Sequence, residues 1–161
     1  MAGAPLYEAV LESLPEDAYH RRAWLALLRC YSRIERELMQ SIAQRYDSSL
    51  PRYDVLTALA MSEDGLTMGE LATILKVSKG NITGVVRRLK SDGLVKKVTS
   101  REDRRVQSVT ISPQGLRLWE EMHEDYDRII TQLLSGRSVQ QLRALIKTLE
   151  RTIKSVNDVA G

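Results

Sequence analysis

The chain has no phenylalanine, one cysteine, two histidines and four prolines in 161 residues. Without phenylalanine, the core falls to Leu, Ile, Val and Ala, with two Trp and six Tyr for bulk. A single cysteine excludes an intrachain disulfide. With only two histidines beside it, a Cys/His zinc cluster cannot be assembled within one subunit, so no metal or cofactor is expected. Few prolines leave room for long helices. No apolar run reaches the 18 residues of a membrane span, and the N-terminus lacks the basic start and apolar stretch of a signal peptide. The expectation is a cytoplasmic protein without a membrane partner. Enzyme signatures are missing too: there is no G-x-S-x-G, P-loop, H-E-x-x-H or Cys/His/Asp arrangement. Glu120, Glu121, Glu124, Asp125 and Asp127 read as a solvated stripe, and no catalytic residue is assigned.

What is present fits one soluble domain, with 43% hydrophobic and 28% charged residues. The net charge is only +3, but it is unevenly spread. Residues 67–112 hold ten Lys/Arg and four acids, a net +6, which leaves the remainder at −3. A basic middle between acidic flanks points to a local polyanion site.

Hydrophobic period then places the elements. Leu6, Val10, Leu11 and Leu14 mark a short amphipathic helix. Pro15 suits the first turn of the next helix, where its missing N–H costs nothing. That helix is predicted from about Glu16 to Tyr46 through Trp24, Leu27, Leu28, Tyr31, Ile34, Leu38 and Ile42. Pro51 restarts a helix to about Met61, and Asp64-Gly65 marks a turn. Thr67 with Glu70 forms a capping box before Leu71, Ile74 and Leu75. Ser78 caps a second short helix with an apolar face of Ile82, Val85, Val86 and Leu89, stopped by Asp92-Gly93. The period then changes: Leu94–Thr99 and Val106–Ile111 read as a β-hairpin whose tip, Ser100–Arg105, is wholly polar. Pro113 opens a long helix to about Leu134 with a seam at Leu116, Trp119, His123, Tyr126, Ile130 and Leu133. Ser138 caps a last helix with Val139, Leu142, Ile146, Leu149, Ile153 and Val156.

Two short helices set across a tight turn, followed by a charged hairpin, form a winged helix-turn-helix, whose second helix fits a major groove about 12 Å wide. The fold class is therefore mainly α, with a two-stranded wing. On the second helix, Gly80, Gly84, Arg87 and Ser91 lie opposite the apolar face, flanked by Asn81, Thr83 and Arg88. The candidate DNA-binding residues are Ser78, Lys79, Asn81, Thr83, Arg87 and Arg88 on the helix, and Arg101, Asp103, Arg104 and Arg105 at the hairpin tip. They supply donors for phosphates and base edges. An arginine at the tip suits a narrow minor groove, and Asp103 can orient Arg105 by a bidentate pair. The two long C-terminal seams need a partner, so a homodimer on a palindromic duplex is expected, its recognition helices about 34 Å apart.

The run S-K-G-N-I-T-G-V-V-R-R-L-K-S-D-G-L-V at 78–95, followed by D-R-R-V-Q-S-V-T-I-S-P-Q-G at 103–115, resembles the MarR family of bacterial transcriptional regulators. The D-x-R of Asp103 and Arg105 and the S-x-x-G of Ser112 and Gly115 are its most specific part. The resemblance implies that Arg105 is the minor-groove arginine and Asp103 its orienting partner. It also implies an obligate homodimer with interlocked first and last helices. The organisation then runs as dimerisation helices at 1–49, a winged helix-turn-helix at 50–112 and dimerisation helices at 113–161. Two positions depart from the family's usual pattern: Gly84, where a larger side chain is common, and Arg87, where an acid is common.

Three further readings accompany this one. Many family members hold an aromatic effector between the dimerisation helices and the winged helix. Here Trp24, Tyr31, Tyr53 and Trp119, with Arg29, Arg33 or His123, would suit an aromatic acid or its coenzyme A thioester, although aromatic residues are core by default and a packed histidine competes at His123. A branch of the family resembles cysteine-based peroxide sensors, which makes Cys30, beside Arg29 and Arg33, an alternative switch against the plainer role of buried filler. A winged helix used as a protein-interaction module is the alternative of another class.

Overall fold

The computed structural model describes residues 3–99 and 107–160. The described elements run α1 (Gly3–Ser13), α2 (Tyr19–Tyr46), α3 (Leu50–Ala60), β1 (Leu66–Thr67), α4 (Met68–Ile74), α5 (Lys79–Ser91), β2 (Val95–Thr99), β3 (Gln107–Ile111), α6 (Pro113–Leu134) and α7 (Val139–Ala160). The chain divides into two compact units, residues 1–129 and 130–161.

Helix α2 begins later than the sequence suggests. Pro15 does not open it; Pro15–Ala18 make a turn of their own. The Ala18 N–H donates to the Pro15 carbonyl at 3.1 Å and the Tyr19 N–H to that of Asp17 at 2.8 Å. The two short helices start as their caps dictate. Thr67 Oγ1 accepts the Glu70 N–H at 3.2 Å, and Glu70 Oε2 accepts the Thr67 N–H at 2.7 Å, a complete capping box. Ser78 Oγ accepts the Asn81 N–H at 3.3 Å at the head of α5. Its other end closes at Asp92 and Gly93, whose φ of 72° is a left-handed conformation that glycine adopts without strain.

The wing has one strand more than expected. β2 pairs antiparallel with β3 from Val95↔Ile111 to Thr99↔Gln107, and β1 joins the far side of β3 through Leu66↔Val109. The strand order is β1-β3-β2. A two-residue strand has no period of its own and exists only because β3 offers it a partner. The main core gathers Val55, Leu56 and Leu59 of α3, Leu71 of α4, Ile82, Val86 and Leu89 of α5, and Leu94, Val95 and Val109 around the sheet.

Ser112 joins the wing to α6. Its hydroxyl donates to the Gly93 carbonyl at 2.7 Å and accepts the Gly115 N–H at 3.0 Å. A Cβ on Gly115 would collide with the carbonyl oxygen of Leu94, so this position admits only glycine. A second cluster, Ile42, Tyr53 and Met122, ties α2, α3 and α6 together. Met122 lies outside the expected seam yet is fully buried, while the seam residue Leu116 is exposed. Asp125 is likewise not part of a solvated stripe. It is buried, accepts the Tyr46 hydroxyl at 2.6 Å, and pairs with Arg45 at 2.6 Å and with Arg128.

In the second unit, Ser138 and Gln141 reproduce the capping-box geometry, with bonds of 2.8 and 3.2 Å. Val139, Ile146, Ile153 and Val156 form an exposed apolar set along α7.

Candidate nucleic-acid interface

Three core contacts aim α5. Ile82, Val86 and Leu89 are all but fully buried against α3 and the sheet. Helical geometry then turns the opposite face outward. Asn81, Thr83, Arg87 and Arg88 are exposed there, and Ser78 and Lys79 are exposed at the start of the helix. Thr83 donates its hydroxyl to the Lys79 carbonyl at 2.8 Å and keeps its oxygen as an acceptor. Basic residues Arg88 and Lys90 lie in the last turn, where they oppose the negative end of the helix dipole. Lys76 holds the turn between α4 and α5 with a left-handed φ of 53°. Lys96 and Lys97 are exposed on the wing strand β2. Arg101, Asp103, Arg104 and Arg105 lie outside the described residues.

An ion pair that sequence reasoning missed fixes the C-terminal end of α5. Arg52 Nη2 of α3 meets Asp92 Oδ2 at 2.6 Å. Forty positions separate the two, so no local pattern reveals them. Beside it, α3, α5 and the turn before α5 border a cavity of about 380 Å³ lined by Pro51, Asp54, Val77, Gly80, Gly84 and Arg88. Asp54 was not singled out from the sequence. Burial and then the charge of Glu35 push its carboxyl up to about 6.

The residues expected to hold an effector fall on α2, α3 and α6. Tyr53, Trp119 and His123 do come together, as a packed stack. The Trp119 and His123 rings lie 4.9 Å apart at 17°, and Tyr53 stacks on Tyr126 at 5.0 Å. The Tyr53 hydroxyl bonds His123 Nδ1 at 2.8 Å, and Trp119 Nε1 donates to Thr57 Oγ1 at 3.0 Å. The stack fastens α6 to α3, and burial pushes the Tyr53 hydroxyl up to about 12. Trp24 and Tyr31, by contrast, are not core: they are 58% and 59% exposed on α2. Tyr31 donates to Glu35 at 2.9 Å. Arg29 pairs with Glu8 at 3.1 Å, and Arg33 borders an open recess with Arg29 and Cys30. Cys30 is exposed, so it is not buried filler. Among the described residues, no group of three or more His, Cys, Asp or Glu could hold a metal ion, and no helix is long and apolar enough to cross a membrane.

A sequence model of the MarR family matches residues 46–106, from the end of α2 to the wing. The transcriptional repressor IacR of Pseudomonas putida is 33% identical over 128 residues, covering 79% of this chain and 74% of that protein. The transcriptional activatory protein BadR of Rhodopseudomonas palustris is 29% identical over 103 residues, 61% of this chain and 59% of that one. The fold is that of Sco3205 of Streptomyces coelicolor, a MarR family regulator solved in complex with DNA. It superposes with a TM-score of 0.77 over 89% of this chain and 92% of that chain, at 19% identity.

Proposed function

The chain belongs to the MarR family of DNA-binding transcriptional regulators, not to an enzyme family, and from that premise we propose that it is a repressor that grips a palindromic operator as a homodimer. The observation that carries this reading is the outward face of α5, where Asn81, Thr83, Arg87 and Arg88 stand exposed on a helix anchored by its opposite side, with Lys79 exposed at its start. Their donors suit phosphates and base edges, and α5 is the element that enters the major groove. Arg105, oriented by Asp103, reads the adjacent minor groove, and Arg101 and Arg104 add phosphate contacts at the wing tip. The exposed apolar set on α7 is the surface that a second copy covers, since such a stripe in water forgoes roughly 25 cal/mol per Å².

Release follows from a small effector, an aromatic acid or its coenzyme A thioester. A ligand moves the operator equilibrium only by its preference for the DNA-incompetent form, and a tenfold release needs about 1.4 kcal/mol of coupling. A second reading is favoured by the exposure of Cys30 beside Arg29 and Arg33: oxidation there would release DNA instead. A gel-shift titration separates the two. Under the first reading aromatic acids or thioesters release the operator and peroxide does not. Release by peroxide alone, lost in Cys30→Ser, overturns it.

A further inference from the structure

Outside residues 67–112 the chain carries a net charge of −3. One stretch of that remainder runs the other way. From Arg143 to Lys154, α7 holds four bases, Arg143, Lys147, Arg151 and Lys154, and a single acid, Glu150. Steps of four, four and three residues set the bases along one face of the helix. All four are exposed. The apolar set of Val139, Ile146, Ile153 and Val156 lies on another face, so a second copy that covers it leaves the bases open.

Charge, length and composition point to a nucleic-acid backbone as the occupant of this stripe. Arg29, Arg45, Arg52 and Arg128 each hold an acid, but none of the four bases of the stripe makes an ion pair among the described residues. At about 1.5 Å per residue the stripe spans about 16 Å of helix. Over that length one strand of a duplex carries about five phosphates. Residues 135–161 contain no Trp or Tyr, and the chain contains no Phe. The stripe therefore has no ring to stack on unpaired bases and none to anchor in a lipid headgroup layer. Nor does α6 of a second copy match it. The exposed acids Glu120, Glu121 and Glu124 are interrupted by the exposed bases Arg117 and Arg128, so α6 offers no row of one sign. The same acids, with exposed Asp127, lie in the chain between the basic face of α5 and the stripe, and they repel phosphate. One duplex is therefore not expected to serve both basic surfaces.

We propose that the stripe on α7 binds the phosphate backbone of a second DNA duplex, without reading its sequence. A dimer seated on one duplex through α5 then holds another through α7. The two surfaces divide the work: α5 presents side chains to base edges and selects a site, while the stripe meets phosphates alone and tethers that site to another stretch of DNA. Binding at the stripe releases counterions, so it is steeply sensitive to salt.

Two duplexes of unrelated mixed sequence test this, one fixed to beads and one free and fluorescent. The full chain, loaded on the bead duplex, is expected to capture the free duplex, and capture should fall steeply as salt rises. Arg143→Gln, Lys147→Gln, Arg151→Gln and Lys154→Gln together should cut capture at least tenfold and change loading of the bead duplex less than twofold. Glutamine keeps the helix, being a good helix former. The charge-keeping set Arg143→Lys, Lys147→Arg, Arg151→Lys and Lys154→Arg should capture as the unaltered chain does. A thermal melt and sedimentation velocity check the fold and the protomer number of each variant. The reading of α5 is tested separately: Arg87→Gln with Arg88→Gln should lower loading, and unchanged loading sinks that reading but not this one. Loading without capture, or capture that survives neutralisation of the stripe, overturns the proposal. Neutralisation that lowers loading as much as capture puts the stripe on the first duplex and overturns it. Loss of the dimer on neutralisation assigns the stripe to a contact between copies, and capture of phosphatidylserine vesicles in place of the duplex assigns it to a bilayer; either result overturns it as well.

Discussion

Asp54 and Asp125 are carboxylates of one type driven in opposite directions by their surroundings. The Asp54 carboxyl is raised from 3.8 to about 6, first by burial and then by Glu35. Its folded form therefore binds a proton more tightly than its unfolded form. The stability this brings is fully present below the ordinary value and is lost as pH rises through about 6. Asp54→Asn, which cannot ionise, should raise the melting temperature more at pH 8 than at pH 5; a gain that does not change with pH would contradict this. For Asp125, burial alone would raise the carboxyl. Hydrogen bonds from Tyr46 and Arg128, with the charges of Arg128 and Arg45, outweigh burial and hold it below its usual range. Its stabilisation is present above the ordinary value and fades as pH falls through the lowered one. Tyr46→Phe removes one donor from this buried acceptor and should cost about 1–3 kcal/mol at neutral pH, less in acid, by denaturant unfolding. The sequence could not have shown either environment. Asp125 looks like one acid among five on an exposed helix, and its Tyr46 partner lies 79 positions away. At the wing, Arg105→Ala should cost roughly 1–3 kcal/mol of operator binding with the fold and dimer intact. Asp103→Ala should weaken binding too, despite removing a negative charge, because the arginine loses its orientation. Tighter binding by Asp103→Ala in a gel shift would instead assign the wing to simple charge.

Elements were legible where a signal is local. The Thr67–Glu70 and Ser78–Asn81 caps, the Asp92-Gly93 stop and the buried face of α5 all depend on residues within a turn of one another, and the structure forms each of them. The third strand was not legible, because β1 is defined only by its pairing with β3. Nor was the late start of α2, because Pro15 fits a helix start and a turn equally well until the Ala18 and Tyr19 hydrogen bonds decide it. The glycines of α5 were visible in the sequence, but not the cavity they border, which needs α3 in place. Since a Cβ at Gly84 meets nothing, Gly84→Ala should stabilise the fold by up to about 1 kcal/mol through helix propensity alone. Destabilisation in a chemical melt would show that close packing, not open space, explains that glycine.

At the scale of the whole molecule, the winged-helix surface was legible because ten basic residues gather in one segment and the apolar period of α5 fixes which of them face outward. The packing of the aromatic residues was not legible, because they are read from a sequence without knowledge of what they stack on. Tyr53, Trp119 and His123 fasten helices together, while Trp24 and Tyr31 face solvent on α2. The central claim is that two copies of α5 grip one palindrome largely through phosphates. Sedimentation velocity of the protein with a labelled palindromic duplex, repeated over a range of salt, tests it most directly. The account predicts two protomers per duplex and an association constant whose logarithm falls linearly and steeply with the logarithm of salt concentration, as counterions are released. A single protomer on the duplex, or an affinity indifferent to salt, would contradict it.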